Sequence, residues 1–562
     1  MGNYRITVSD KMKKIEQILN RVRKPAGYIG GEFGQITKSS SEVKVRIALC
    51  FPDTYEIGMS NLGMRIIYGA LNEMDGVWCQ RVFAPWTDME DEMRNADIPL
   101  FALESHEAIR DFDVIAFSLG YELSYTNMLN MLDLAGIALR SEERSDIDPI
   151  IIAGGSCCYN PLPVADFVDL FVIGEGEEIS PQLVSMYMAS NGKADFLQNA
   201  SKVPGVYVPG LYDEGSPQIK KRIVKDLDNS YFPTAPIVPS ASIVHDRAMV
   251  ELFRGCHRGC KFCSAGHTTG PFRVRSPEKL REQGIVSLQN SGYDELALLS
   301  LSTSDYPHLD VLCDSLISWC EPRKINLSLP SLRADNFSID LMQRVQKVRK
   351  SGLTFAPEAG SQRLRNHINK NITEETLLGA CGVAFGGGYN AVKLYFMLGL
   401  PTETDEDVLA IAALAHKVLD TWKTHTNNER RGVRITISTS CFIPKPHTPF
   451  EREGQISISE YLRRVKLLKD DIRSKKITYN WHSPEQGLIE AALSRGDREL
   501  GRVIEAAWRS GAKFDSWSEH FSLDTWLAAF SQCGLDPEYF AMRERANDEK
   551  LPWSFIDVKG VG

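Results

Sequence analysis

The feature that most restricts this chain is an alternation, beginning at Val43, of short apolar runs rich in β-branched residues with longer segments of helical spacing. The runs VKVRIALCF, VWCQRVF, FDVIAFSL, PIIIAGG and VDLFVIG all fall within residues 43–190. A run that is apolar at nearly every position, and not at every second one, is buried on both faces. Strands of that kind with helices between them form a parallel sheet. Residues 43–199 are therefore expected to form an open, doubly wound (Rossmann-type) α/β domain, with ligands beyond the carboxyl ends of its strands. Ahead of it, residues 1–42 read as an amphipathic helix and a Gly-rich lead-in. Behind it, residues 200–245 are rich in Pro and Gly and read as a linker with room for one hairpin.

A second series follows in residues 246–455. Strands are expected at 248–253, 295–301, 324–330, 353–357, 391–398 and 433–441, with helices at 277–290, 308–320, 338–350, 373–385 and 404–420. Six parallel strands with right-handed crossovers make a partial (β/α)6 barrel, which lacks the strands needed to close and so leaves a lateral opening. Residues 456–562 read as a small, mainly helical domain, and Leu462, Val465, Leu468 and Ile472 mark one helix face. Five of the nine tryptophans (Trp481, Trp508, Trp517, Trp526 and Trp553) fall there and are expected to fill its core.

A length of 562 residues exceeds what one core supports, in keeping with several domains. The net charge of -9 argues against bulk attraction for nucleic acid or anionic membranes. No run of about 18 apolar residues exists for a membrane span. The first residues lack a signal peptide's apolar core, and Ile6 stands where a myristoylation motif needs Ser or Thr. A cytoplasmic location is expected.

Of twelve cysteines, Cys50, Cys313, Cys320, Cys381 and Cys441 sit singly in apolar stretches and read as core residues. Cys256, Cys260 and Cys263 do not. In RGCHRGCKFCSAGH, after the first strand of the second series, three thiolates spaced four and three apart flank Gly259 and follow Gly255. They can reach three irons of one cubane, leaving the fourth iron without a protein ligand. Arg254, Arg258 and Lys261 add positive charge expected to favour thiolate. The competing assignment is a structural zinc site completed by His267. It belongs with a non-catalytic adaptor associated with RNA or the ribosome.

The Cys-x-x-x-Cys-x-x-Cys loop with Phe262 before its last cysteine resembles the signature of the radical S-adenosylmethionine (SAM) superfamily. The resemblance implies a [4Fe–4S] cluster that binds SAM at its open iron and cleaves it to methionine and a 5′-deoxyadenosyl radical. By the same likeness, Ser302 and Thr303 after the second strand, Ser331 or Arg333 after the third and Glu358 after the fourth are SAM contacts. Leu398 and Gly399 after the fifth and Phe442 after the sixth are adenine contacts.

The domain order further resembles a subgroup of cobalamin-binding radical SAM proteins without a settled activity, over nearly the whole chain. That implies a cobalamin site at three segments: PDTYEIGMSNLG, with Asp53, Tyr55 and Gly58; AGGS, with Gly154 and Gly155; and IGEGEE, with Gly174 and Gly176. Ser118 is a further candidate. The family's Asp-x-His-x-x-Gly motif has Tyr55 in place of its cobalt-ligating His, and a phenol is a poor substitute for imidazole. With cobalamin, the resemblance implies a methyltransferase acting on an unactivated carbon. Without it, the same barrel suits rearrangement, thiolation or coupling. The implied partners are a substrate of unassigned identity, an electron donor such as flavodoxin or ferredoxin, and a small radical-SAM-linked companion protein. The resemblance also implies that related chains continue past the point matching the final segment LPWSFIDVKGVG.

Overall fold

The computed structural model describes residues 10–213, 215–330, 353–426 and 432–561. Its first sheet takes the predicted runs as strands β1 (Val45–Phe51), β2 (Val77–Phe83), β3 (Val114–Ser118), β4 (Ile150–Gly154) and β5 (Leu170–Val172), all parallel. With β6 (Val206–Tyr207) the spatial order is β2-β1-β3-β4-β5-β6. Chain direction across the sheet therefore reverses between β1 and β3, and the crevice beyond the strands' carboxyl ends at that point is where doubly wound sheets bind ligands. The helices Leu62–Asn72 and Gly176–Ala189 cover one face and Tyr125–Ala135 the other.

Residues 200–245 are not a plain linker. β6 pairs antiparallel with β5, and β7 (Ile219–Arg222) pairs parallel with the last strand of the chain. Pro and Gly correctly signalled turns there, but the apolar pair Val206–Tyr207 and the mostly basic IKKR between the turns found open strand edges.

The second series opens with β8 (Ala248–Glu251) and β9 (Phe253–Arg254). β9 pairs antiparallel with β10 (Arg273–Val274), so the three cysteines sit on the excursion between two paired strands. Next come β11 (Glu295–Leu299), β12 (Asn326–Ser328), β13 (Leu353–Glu358), β14 (Ala391–Leu398), β15 (Arg434–Cys441) and β16 (Ile477–Trp481). They form two parallel sheets, β12-β11-β8 and β13-β14-β15-β16. The helices between them start at defined caps, such as Ser276 ahead of Pro277 and a capping box of Thr404 with Asp407. The predicted helix 338–350 lies outside the described residues.

β16 corrects the expected six strands and the boundary at 455. Among the described residues the barrel series has seven parallel strands, and ITYNW belongs to it and not to a helical domain. Its short alternating pattern, with only Ile477 fully buried, gave a weak signal.

The remaining C-terminal segments are helical (Pro484–Arg495, Leu500–Arg509, Leu523–Gln532, Pro537–Ala541) and end in β17 (Ile556–Val561). They share one core with the first domain, where Ile489, Ile504 and Trp526 meet Met128, Leu132 and Phe167. Trp526 and Trp553 are fully buried as expected of core residues, whereas Trp481 is 41% exposed. No helix among the described residues is long and apolar enough to cross a membrane.

Candidate functional site

The cysteine loop starts where β9 ends. Gly255 adopts φ +85°, and a Cβ there would stand 2.4 Å from the Pro271 carbonyl oxygen, so only glycine lets the two arms of the excursion approach. Cys256, Cys260 and Cys263 are half-buried, whereas Cys50, Cys79, Cys157, Cys158, Cys313, Cys320 and Cys381 are buried. The loop is held by the segment after β13: Asn369 Nδ2 donates to the carbonyls of Arg258 (3.1 Å) and Gly259 (2.8 Å), and the Lys261 N–H donates to Ile368 O (3.0 Å). Cys263 caps the helix Ser264–Thr268, and its sulfur accepts the Gly266 N–H at 3.4 Å. Burial pushes the Cys263 thiol up, and that N–H opposes it by stabilising the thiolate. His267 Nε2 donates to Cys260 O at 3.1 Å. Among the described residues no three His, Cys, Asp or Glu side chains converge on a single ion.

The positive charge expected around the loop is largely neutralised. Arg258 pairs with Asp305 (Nε to Oδ2 2.8 Å), and Arg254 pairs with Glu251 (2.9 Å) and with Glu177. All three carboxylates lie outside the loop, which is why its own sequence showed only the cations.

The candidate SAM residues gather at the carboxyl ends of the barrel strands. Phe262 of the cysteine loop packs against one cluster containing Ala359 after β13, Leu400 after β14 and Phe442 after β15. Ser302 is buried and its Oγ has no hydrogen-bond partner. Thr303 Oγ1 donates to Leu298 O at 3.4 Å and accepts from Ser300 at 3.2 Å. Glu358 sits at a bulge ending β13 with φ +68°, and its carboxylate accepts from Lys370 Nζ at 3.1 Å. The Gly399 N–H donates to Glu403 at 2.6 Å. Leu398 is buried on the helix-covered side of β14, and Phe442 is buried edge-on against Phe450. Ser331 and Arg333 lie outside the described residues.

A cavity of about 820 Å³ opens between the two series. Ser118, Gly154, Gly155, Gly174 and Gly176 line it from the first sheet. Gly255 and Ser264, which flank the cysteines, line it from the other side. Asp53, Tyr55 and Gly58 are elsewhere. Asp53 is buried and accepts from Tyr121 and from Trp517 Nε1 (3.1 Å). Tyr55 donates to Glu32 Oε1 at 3.0 Å and packs on Phe83. A Cβ on Gly58 would overlap the Phe83 ring at 2.2 Å.

Several residues of this wall carried no recognised signal. Glu175 and Glu177, which alternate with the candidate glycines of IGEGEE, dock the first domain onto the barrel through Arg273 (2.6 Å) and Arg254. Lys445 donates to Glu122 at 2.9 Å and to Glu490 at 3.0 Å, joining three parts of the chain beside the cavity. Their signal was charge in otherwise apolar loops.

Lys221 is 2% exposed, and its ammonium donates to the carbonyls of Thr268 and Gly270, both at 2.6 Å, just beyond the cysteine loop. Burial pushes its pKa from 10.5 down to about 8. A base whose pKa is depressed on folding binds fewer protons folded than unfolded, so stability rises with pH between the two values. The melting temperature of the wild type relative to Lys221→Met is therefore expected to climb from pH 8 to pH 10.5, and a flat difference would contradict it.

Residues 250–415 match the family model described as the radical SAM superfamily, and residues 63–209 match the one described as radical SAM proteins, N-terminal. The chain belongs to the radical SAM superfamily. The two matches together span more than half of it. An uncharacterized protein of Methanocaldococcus jannaschii is 28% identical over 87% of this chain and 97% of its own. A tRNA-2-methylthio-N(6)-dimethylallyladenosine synthase of Pelotomaculum thermopropionicum is 24% identical over 45% of this chain and 55% of its own. Among solved structures, the radical SAM methyltransferase TsrM from Kitasatospora setae, with cobalamin and a [4Fe–4S] cluster bound, aligns with TM-score 0.50 at 12% identity, over 72% of this chain and 77% of that one. The cobalamin-dependent radical enzyme OxsB, with aqua-cobalamin and SAM bound, aligns with TM-score 0.50 at 13% identity, over 86% and 72%. This radical SAM protein shares the fold of both.

Proposed function

We propose that this chain is a radical SAM enzyme that holds a [4Fe–4S] cluster on Cys256, Cys260 and Cys263, SAM at the adjoining barrel mouth and a corrinoid in the interdomain cavity, and that it transfers a methyl group to an unactivated carbon. One observation carries the reading: the residues flanking the cysteines and the glycine loops after β4 and β5 line the same cavity. Two cofactors placed there would face each other across the space a substrate must enter.

The residues present fit both groups. Three half-buried thiols on one loop, with an N–H already aimed at one sulfur, suit a cubane held at three corners. The orphan hydroxyl of Ser302 offers a hydrogen bond to the amino or carboxylate group of SAM, and Lys370 orients the Glu358 carboxylate beside the cluster loop. Across the cavity, nothing stands within 4 Å of a Cβ built on Gly120, which leaves room for a broad planar ligand. Tyr55 is engaged with Glu32 and does not line the cavity, so its phenol is no ligand for cobalt there. When bound, the cluster supplies the electron that cleaves SAM and the corrinoid carries the methyl group.

Protein reconstituted without oxygen is expected to hold about four irons per chain, to release 5′-deoxyadenosine from SAM under reduction, and to bind hydroxocobalamin with a change in its visible spectrum. Deoxyadenosine without cobalamin binding would leave a cobalamin-independent radical SAM enzyme. Zinc in place of iron, with no cleavage, would return the chain to the adaptor class.

A further inference from the structure

In a closed (β/α)8 barrel the inward side chains are layered apolar residues that fill the core. The sheet β13-β14-β15-β16 is built the other way round. On β14 the outward residues Val392, Leu394, Phe396 and Leu398 are at most 2% exposed beneath the helices. The inward residues Lys393, Tyr395 and Met397 are all half-buried and so accessible from within.

The strand register extends this inner face across the sheet. Thr354, Lys393, Thr436 and Thr478 form one layer, Tyr395, Ser438 and Asn480 the next, and Met397 with Ser440 the one nearest the cysteine loop. Of these, Thr354, Thr478 and Asn480 are exposed. Hydroxyl, amide and phenol groups therefore line the interior, with Thr436 and Ser440 half-buried and Ser438 buried between them. The Lys393 ammonium lies 4.4 Å over the Tyr395 ring and makes no ion pair among the described residues. Arg434, exposed at the start of β15, places a second cation one step further from the cysteines. No acidic side chain belongs to the inner layers of Lys393 or Tyr395 in these four strands.

We propose that this inner face is the substrate-binding wall, and that it selects an elongated polar molecule ending in an anionic oxygen group, carboxylate or phosphate, held by Lys393. The inference rests on the radical SAM reading for where the chemistry occurs. Lys393 is four residues below Met397, which along a strand is about 13 Å. The anionic end therefore sits roughly that far from the reacting carbon, and the hydroxyls of β15 and Asn480 bind the polar section between.

The test uses the full chain with pyrophosphate and citrate as separate anionic probes. Lysine acylation read by mass spectrometry is expected to label Lys393 in the free protein. Either probe protects it while leaving Lys417, 51% exposed on the outer helix, unaffected. Calorimetric binding of the protecting probe weakens at least about tenfold in Lys393→Met and recovers in Lys393→Arg, as expected for a hydrogen bond to a charged group. Wild-type iron content in both variants shows that they fold. Protection by pyrophosphate alone identifies a phosphate-bearing substrate, and by citrate alone a carboxylate-bearing one. If neither anion binds, or if Lys417 is protected equally, the inference falls. Iron content and deoxyadenosine release by the same wild-type preparation report separately on the radical SAM reading.

Discussion

Cys260→Ala is expected to strip most of the iron from the reconstituted chain and to lower reductive SAM cleavage by at least about a hundredfold. Removing the partners around a metal ligand already costs 10–100-fold, and removing the ligand itself costs more. The same holds for Cys256→Ala and Cys263→Ala, since a cubane held at three corners has no spare thiolate. Cys381→Ala is the matched control. That thiol is buried in the helix Glu374–Gly386, so its loss leaves a small cavity and wild-type iron. Asn369→Ala separates coordination from positioning. It keeps all three thiols but removes two hydrogen bonds that fix the loop at Arg258 and Gly259. It is expected to bind iron with weakened affinity, between the wild type and the cysteine variants. Iron and deoxyadenosine assays on the five variants and the wild type check the ranking, and iron retained in all three cysteine variants would refute the assignment.

What could be read from the sequence, and what could not, divides by the distance over which residues speak to each other. The cysteine loop is local: three thiols and two glycines within nine positions state their geometry without help from the rest of the chain. The buried strands of the first sheet are equally local, because continuous apolar runs report burial on both faces. β16 was missed because ITYNW is buried at one position and its remaining pattern reflects an exposed sheet edge. The docking of the C-terminal helices onto Tyr125–Ala135 was invisible for another reason. An apolar helix stripe records that it is covered, but not which domain covers it. The cavity wall was hidden likewise, since Glu177 meets Arg254 77 positions along the chain. Tyr55 matched a motif position, yet its phenol is claimed by Glu32 in the lead-in, 23 residues earlier.

That phenol belongs to a buried charge cluster whose disruption should produce the largest loss of stability. Arg81 on β2 is 3% exposed and binds two carboxylates, Glu104 through Nε at 2.6 Å and Glu32 through Nη2 at 2.8 Å. Glu104 also accepts the Arg81 backbone N–H at 2.7 Å, so the cluster fixes the strand itself. Arg81→Met leaves two buried carboxylates facing each other without a cation, a change that typically costs about 3–5 kcal/mol. Burial already pushes the Glu104 carboxyl up even with Arg81 beside it. Burial also works on Glu32, where Arg81 and the Tyr55 phenol outweigh it and hold the carboxyl below its usual 4.5. Without the guanidinium, both folded-state values lie above the unfolded ones. The variant then recovers stability as pH falls toward 4.5 and loses it as pH rises, whereas Glu32 in the wild type contributes in the opposite sense. Melting temperatures of the two proteins between neutral pH and that value should converge, and adding Glu32→Gln to Arg81→Met should recover part of the loss at neutral pH. Parallel curves would mean that the cost of the substitution is lost packing around β2 and not an uncompensated charge.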